Sequence, residues 1–211
     1  METYEIDFGV VGPAAYAKQN QNWIHDARGI ARFQGWDYQL KNEPGLLLVY
    51  EAKHKRPATT LADDLEYDAI GHYGGAVGNI AVYANVGGEM RIGWRIPDDF
   101  GTSPIRPAGD NNAPGPENAP RGGRRPGLHA FVSVDARAVA HDIFLDGNTF
   151  VAGPHVTRRP FVADVALGAA LTLGGAKLTY AHYIRSREFT TQSGVQTFGS
   201  ITLSWEFNEG R

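Results

Sequence analysis

Strict alternation of apolar and polar side chains recurs along this chain, most clearly near its C-terminal end. In residues 196–207, Ile201, Leu203, Trp205 and Phe207 fall on one face, and small polar or acidic residues fall on the other. A period of two is typical of a β-strand with two different faces. We count about eight such strands, near residues 3–11, 38–54, 76–86 (with a start as early as 63), 89–96, 127–140, 157–173, 176–187 and 196–207.

Glycine pairs predict where the chain turns between strands. Gly174-Gly175 and Gly87-Gly88 each interrupt an alternating stretch, and glycine accepts positive φ at little cost. The glycine-rich residues 74–78 lie instead within strand-like sequence, which indicates close packing or a strand bend.

Two segments depart from the β pattern. Residues 14–29 follow Gly12-Pro13 and end at Gly29, which predicts one helix. Residues 97–127 are rich in Pro, Gly and Asn, which predicts a long connection with little core-forming content.

Strands with two different faces fit two architectures. In a transmembrane barrel the apolar face meets lipid and the polar face lines the lumen, whereas in a soluble β-domain the polar face meets water. The chain has no run of 18 apolar residues, as a membrane-spanning helix would need, but barrel strands are shorter and alternate. In the barrel we expect these charged residues to face the lumen: Glu5, Asp7, Arg91, Arg95, Asp135, Arg137 and Lys177.

The amino-acid composition argues against several classes of function. A formal net charge of −3 over 211 residues argues against a nucleic-acid partner. The chain has no cysteine, and therefore no disulfide, thiolate metal site or cysteine nucleophile. The tripeptides 110–112 and 146–148 carry Asp and Asn oxygens that suit Ca²⁺, although Asx-type turns are the commoner role for such sequences.

The candidate for chemistry is His25 in the predicted helix, with Gln21 four residues before it. Residues four apart lie on the same helical face. A histidine titrates near neutral pH and can act as a general base, and a glutamine amide can orient water or a carbonyl group. From spacing alone, an ordinary solvated helix remains open beside this interpretation.

Several motifs, in order along the chain, resemble one known family. They are FGVVGP, QNWIH, GWDYQLKNEPGLLLVY, AVGNIAVYANVGGEMRIGW, RAVAHDIFLDGNTF, RSREF and FGSITLSWEF. Together they resemble the lipid A 3′-O-deacylase family of Gram-negative outer-membrane proteins, over Phe8 to Phe207. A last strand whose final apolar residue is Phe207 also resembles the C-terminal signature of bacterial outer-membrane proteins.

The resemblance implies an all-β, antiparallel, twelve-stranded transmembrane barrel in the outer membrane, with an extracellular-loop helix near residues 14–29. It implies an esterase that removes an acyl chain from the lipid A of lipopolysaccharide. The family's catalytic histidine and the glutamine before it correspond to His25 and Gln21. The implied mechanism activates water with the imidazole and uses a divalent cation, Ca²⁺, at the oxyanion. The resemblance gives no metal ligands in this chain.

The chain departs from the family at its N-terminal end. Family members begin with a signal peptide and roughly four further strands, none of which precedes Tyr4 in this sequence. We therefore expect residues 1–211 to be a single, N-terminally truncated barrel domain holding about eight of twelve strands, and to be a monomer. The side of the membrane that holds residues 98–126 is not predicted.

Three functions are compatible with the sequence. The first is a lipid A deacylase, or an inactive fragment of one. The second is a non-catalytic outer-membrane barrel such as a pore or scaffold. The third is a soluble β-barrel that binds a ligand. Dependence on detergent separates the third from the others, and loss of an acyl group from lipid A separates the first from the second.

Overall fold

The computed structural model describes residues 1–102 and 126–205. Nine strands and two helices follow in the order β1 Glu2–Val11, α1 Ala17–Arg28, β2 Glu43–Lys55, β3 Thr59–Ala62, β4 Leu65–Gly78, β5 Ala81–Trp94, β6 Gly127–Asp142, α2 Ile143–Asp146, β7 Phe161–Leu173, β8 Ala176–Arg185 and β9 Gln196–Trp205. Neither described helix has the length and apolar character needed to cross a membrane. Phe207 and most of the 97–127 connection lie outside the described residues.

The strands form one antiparallel sheet in which, apart from the short β3, neighbours along the chain are neighbours in space. The order is β1-β2-β4-β5-β6-β7-β8-β9, and the short β3 pairs only with β4. Within the described part of the chain, β1 and β9 are the two edges of this sheet. The sheet curls into a half-barrel, which confirms the antiparallel all-β prediction.

The two faces of the sheet are chemically opposite. On the convex face the large apolar side chains of β7 and β9 are exposed, as the alternation predicted. The concave face buries charged side chains, among them Arg91, Asp135 and Lys177. Antiparallel partners directly opposite one another share a face, so Glu5 and Asp7 lie on the concave side with the buried residues that they pair with in β2.

Arg95 does not follow the predicted lumen-facing pattern. It lies just beyond the end of β5 with φ of 53°, so the strand alternation no longer sets its direction. Its guanidinium pairs with Asp64 at 2.7 Å, and both side chains are about half exposed. The prediction fails because the strand ends one residue earlier, at Trp94.

The predicted turn at Gly87-Gly88 is wrong. Both glycines lie within β5, and the chain turns at residues 79–80 instead. The Asn79 side chain connects this turn to β2, since its Oδ1 accepts a hydrogen bond from the Leu46 N–H at 2.8 Å. Gly87 is needed for close packing: a Cβ atom there would lie 2.6 Å from Cε1 of His72. The Gly174-Gly175 turn is confirmed, with Gly174 at φ of 59°.

Candidate functional site

Helix α1 begins and ends at the signals found in the sequence. A short 3-10 turn, Pro13–Ala15, precedes it, and Gly29 ends it with φ of 63°. The Gly29 N–H donates to the Asp26 carbonyl oxygen at 3.2 Å, which closes the last turn. The predicted helix near 14–29 is therefore confirmed, and it lies in the loop that joins β1 to β2.

Gln21 and His25 meet on one face of α1. The Gln21 Nε2 and the His25 Nε2 are 2.6 Å apart, and the His25 Nδ1 lies 2.6 Å from the Ala31 carbonyl oxygen. A carbonyl oxygen only accepts hydrogen bonds, so Nδ1 carries the proton of the neutral ring. The lone pair of the imidazole is then at Nε2, where the Gln21 amide donates to it.

His25 is covered by the segment that follows the helix. Only 6% of its surface is exposed, and the ring of Phe33 packs edge-on against it with centroids 4.6 Å apart. Gly29 and Gly35 flank this segment, both at positive φ. The imidazole therefore contacts residues 30–34, which lie between the two glycines, through the Ala31 carbonyl oxygen at Nδ1 and through the ring of Phe33.

One ion pair fastens this covering segment to the helix. The Arg32 Nε and Nη2 donate to the two Asp26 carboxylate oxygens at 2.8 and 2.5 Å. The hydrogen bond from Arg32 holds the pKa of Asp26 below its ordinary value, and the same bond raises the pKa of Arg32. Both side chains are more than half exposed, so solvent weakens this pair.

A second polar cluster lies at the base of the loop that carries α1. Glu43 starts β2 with only 3% of its surface exposed. Its carboxylate accepts hydrogen bonds from the side-chain amides of Asn79 and Asn148 at 3.1 and 3.0 Å, and from the Thr149 N–H at 3.0 Å. Two stretches that the family resemblance rests on, LKNEP and DGNTF, therefore meet here.

The concave face holds a third polar group, remote in sequence from His25. His72 Nε2 lies 2.8 Å from an Asp135 carboxylate oxygen, and Asp164 accepts from Arg137 and Arg185 at 2.9 and 2.8 Å. A cavity of about 50 Å³ opens beside them. The pairing of His72 with Asp135 is not predictable from the sequence, because 63 residues separate the two and no local motif indicates their contact.

The described residues near His25 do not fit a divalent cation. No group of three or more His, Asp or Glu side chains in the described ranges is placed to hold a metal ion. The nearest carboxylate along the chain, Asp26, is engaged by Arg32, and Glu43 is engaged by amide donors. In the 146–148 tripeptide, Asp146 accepts from Arg158 and Asn148 binds Lys41 and Glu43.

Comparison with known proteins places these features in a family. No curated protein matches the chain. A solved structure described as LpxR from Salmonella typhimurium matches with a TM-score of 0.79 at 19% identity, over 98% of this chain and 67% of that one. The chain thus spans about two thirds of the length of that protein, and the likeness confirms the barrel fold. The model of the family described as outer membrane protein LpxR matches residues 1–207, so the chain belongs to that family of outer-membrane proteins.

Proposed function

We propose that this protein hydrolyses an ester-linked acyl chain of lipid A, with His25 as the general base. The observation that carries the proposal is the pairing of His25: its Nδ1–H is fixed by the Ala31 carbonyl, so Nε2 is the basic nitrogen. Membership of the LpxR family supports lipopolysaccharide as the substrate class. We further propose that residues 1–211 act as a monomer and as one membrane domain.

The chemistry requires His25 Nε2 to exchange its Gln21 partner for a water molecule. Nε2 takes a proton from that water as its oxygen attacks the ester carbonyl carbon. The tetrahedral intermediate then expels the sugar oxygen, which takes the proton from the imidazolium. The products are a fatty acid and a free hydroxyl group on lipid A. Gln21 holds the ring or the water in place and transfers no proton.

Two side chains beside His25 must move before an ester can reach Nε2. A general base works within about 2.6–3.2 Å of the proton that it removes, or through one water. The Gln21 amide occupies Nε2, and the ring of Phe33 packs against the imidazole. Substrate binding therefore includes movement of these two side chains, while the Ala31 carbonyl oxygen stays on Nδ1 and keeps Nε2 the basic nitrogen.

The divalent cation implied by the family resemblance enters no step derived from these residues, because the described donors near His25 do not fit one. We propose it only as a requirement of the reaction. Chelation with EGTA followed by addition of Ca²⁺ tests that requirement: loss and recovery of product support it, and unchanged product contradicts it.

The burial of His25 favours one alternative, a non-catalytic outer-membrane barrel. In that alternative Gln21 and His25 simply stabilise the loop, because both ring nitrogens already have partners. Catalysis and scaffolding thus make different predictions for the same side chain.

The test is expression of the chain in the outer membrane of a Gram-negative host, followed by mass spectrometry of its lipid A. We expect loss of the mass of one acyl group with the parent chain, no loss with His25→Ala or His25→Asn, and partial loss with Gln21→Ala. His155→Ala is the matched control, since His155 is an exposed histidine in the β6–β7 loop. Deacylation that persists in His25→Ala excludes His25 as the base. A folded parent barrel that leaves lipid A intact supports the scaffold.

A further inference from the structure

The loop that carries α1 is tied at its base, where its two ends meet. Gly12 has φ of 96°, and a Cβ atom there would lie 2.6 Å from the Lys41 carbonyl carbon and 2.7 Å from the Asn42 nitrogen. The Ala14 N–H donates to the Asn42 Oδ1 at 2.7 Å. The chain leaving β1 therefore packs directly against the chain entering β2.

Asn148, in the loop between α2 and β7, forms hydrogen bonds to the same point. The Lys41 N–H donates to the Asn148 Oδ1 at 2.8 Å, and the Asn148 Nδ2 donates to the Lys41 carbonyl oxygen at 2.9 Å. A carboxamide has a carbonyl acceptor and an NH2 group with two donor hydrogens, so Asn148 pairs with both backbone groups at once and keeps one N–H for another acceptor. This pairing connects positions that are 107 residues apart.

Glu43 fixes the orientation of the Asn148 carboxamide. It accepts from the same Asn148 Nδ2 at 3.0 Å, so the nitrogen cannot exchange places with the oxygen without setting an oxygen against a carboxylate. The Phe150 N–H also points at this carboxylate, at 3.3 Å. Since Glu43 is nearly fully buried, losing the Asn148 donor leaves its carboxylate with fewer hydrogen bonds to offset the cost of burial.

We propose that Asn148 and Glu43 are positioning residues that hold the α1 loop, and with it His25, over the rim of the barrel. The inference rests on the proposed function for its catalytic consequence, but the geometry holds without it. Helix α1 is connected to the sheet through the base of its loop, and a displacement of about 1 Å at a reacting group lowers a rate by about 10²-fold. Neither residue touches the reacting atoms.

The kinetic arm of the test uses Asn148→Ala, Asn148→Asp and Glu43→Gln. We expect kcat for lipid A deacylation to fall about tenfold or more in each, with KM little changed. The reciprocal double variant Asn148→Asp with Glu43→Gln again places a donor opposite an acceptor, and we expect it to recover part of the kcat that Asn148→Asp loses. A general loss of stability would not produce that recovery. Asp64→Asn, which removes an ion pair beyond the opposite ends of the strands, is the control that leaves kcat unchanged.

The geometric arm does not need activity. The chain has no cysteine, so spin labels attach only at introduced sites, for example Lys18→Cys in α1 and Val195→Cys in the exposed β8–β9 loop. We expect a narrow distance distribution in the parent and in Asp64→Asn, and a broad or shifted one in Asn148→Ala. An unchanged distribution in Asn148→Ala overturns the inference whether or not the protein is active. If the protein is inactive but the distance distribution broadens in Asn148→Ala, the positioning role is supported and only the proposed function is contradicted.

Discussion

Arg91 and Asp68 form a bidentate ion pair on the concave face of the sheet, and neither side chain is exposed to solvent. The Arg91 Nε and Nη2 lie 2.8 and 2.5 Å from the two Asp68 carboxylate oxygens. Arg91 also binds Asp99 at 2.5 Å, and Lys177 binds Asp99 at 2.7 Å. Lys55 lies 3.6 Å from Asp68 as well, so three cations surround these two carboxylates where segment 97–102 folds onto strands β5 and β8.

Removing one cation from this group should destabilise the barrel strongly. We expect Arg91→Met to lower the free energy of unfolding by about 3–5 kcal/mol, because Asp68 and Asp99 then lose a buried partner. Arg95→Gln, in the half-exposed pair with Asp64, should lower it by about 0–1 kcal/mol. Urea unfolding in lipid vesicles measures both. Equal losses in the two variants would contradict the assignment of Arg91 to a buried network.

Close strand packing in β4 should make the stability of the barrel sensitive to substitution of Gly74 but not of Gly71. A Cβ atom at Gly74 would lie 3.0 Å from the Glu51 Cα and closer still to the Tyr50 carbonyl oxygen, whereas at Gly71 nothing lies within 4 Å. We expect Gly74→Ala to destabilise the barrel by about 1–3 kcal/mol and Gly71→Ala to have little effect. The temperature at which each variant loses its heat-modifiable gel mobility is the measurement. The idea fails if Gly71→Ala is the more damaging of the two.

The exposed convex face of β7 should respond to charge according to depth in the bilayer. Leu167 lies in the middle of the strand and Leu173 at its end, with nearly equal exposure of 53% and 52%. We expect Leu167→Arg to cost about 2–4 kcal/mol, as at the bilayer midplane, and Leu173→Arg about 0–1 kcal/mol, as near an interface. Unfolding from vesicles tests this. Equal penalties would mean that this face does not span the membrane.

The pair that fastens the covering segment to α1 should show in the titration of Asp26. Arg32 lowers the pKa of Asp26 from its ordinary value of 3.8, so the pair is complete above that value and is lost as the pH falls through the lowered pKa. In Arg32→Gln we expect the pKa of Asp26 to return toward 3.8, followed by NMR of the carboxyl carbon. An unchanged pKa in that variant would show that Arg32 does not hold the segment in solution.

Local pattern predicted most of the fold, and it failed where packing between strands decides. Alternation located the strands and their faces, and Gly12, Pro13 and Gly29 located the helix. The Gly87-Gly88 turn was wrong because glycine serves tight turns and close contacts equally well. Only the structure shows that His72 occupies the space beside Gly87.

The candidate site, too, was predictable only where local sequence spacing determines the contact. The contact between Gln21 and His25 follows from a spacing of four on a helix and was predictable. The cover provided by Ala31 and Phe33 depends on how the chain folds back after Gly29, which no periodicity encodes. The pairing of Glu43 with Asn148 spans 105 residues, and its two halves look like an ordinary strand start and an ordinary Asx turn.

The tied base of the α1 loop gives this barrel a modular rim. Everything between Tyr16 and Leu40 leaves and re-enters the sheet through one joint, made where Gly12 and Ala14 meet Lys41 and Asn42. A segment attached in this way can be lengthened, shortened or exchanged as a cassette while the register of β1 against β2 stays the same. Variation in the loop that holds the proposed base His25 is thereby separated from variation in the sheet that inserts into the membrane, and a graft cut at residues 16 and 40 is the natural unit for exchanging that loop between family members.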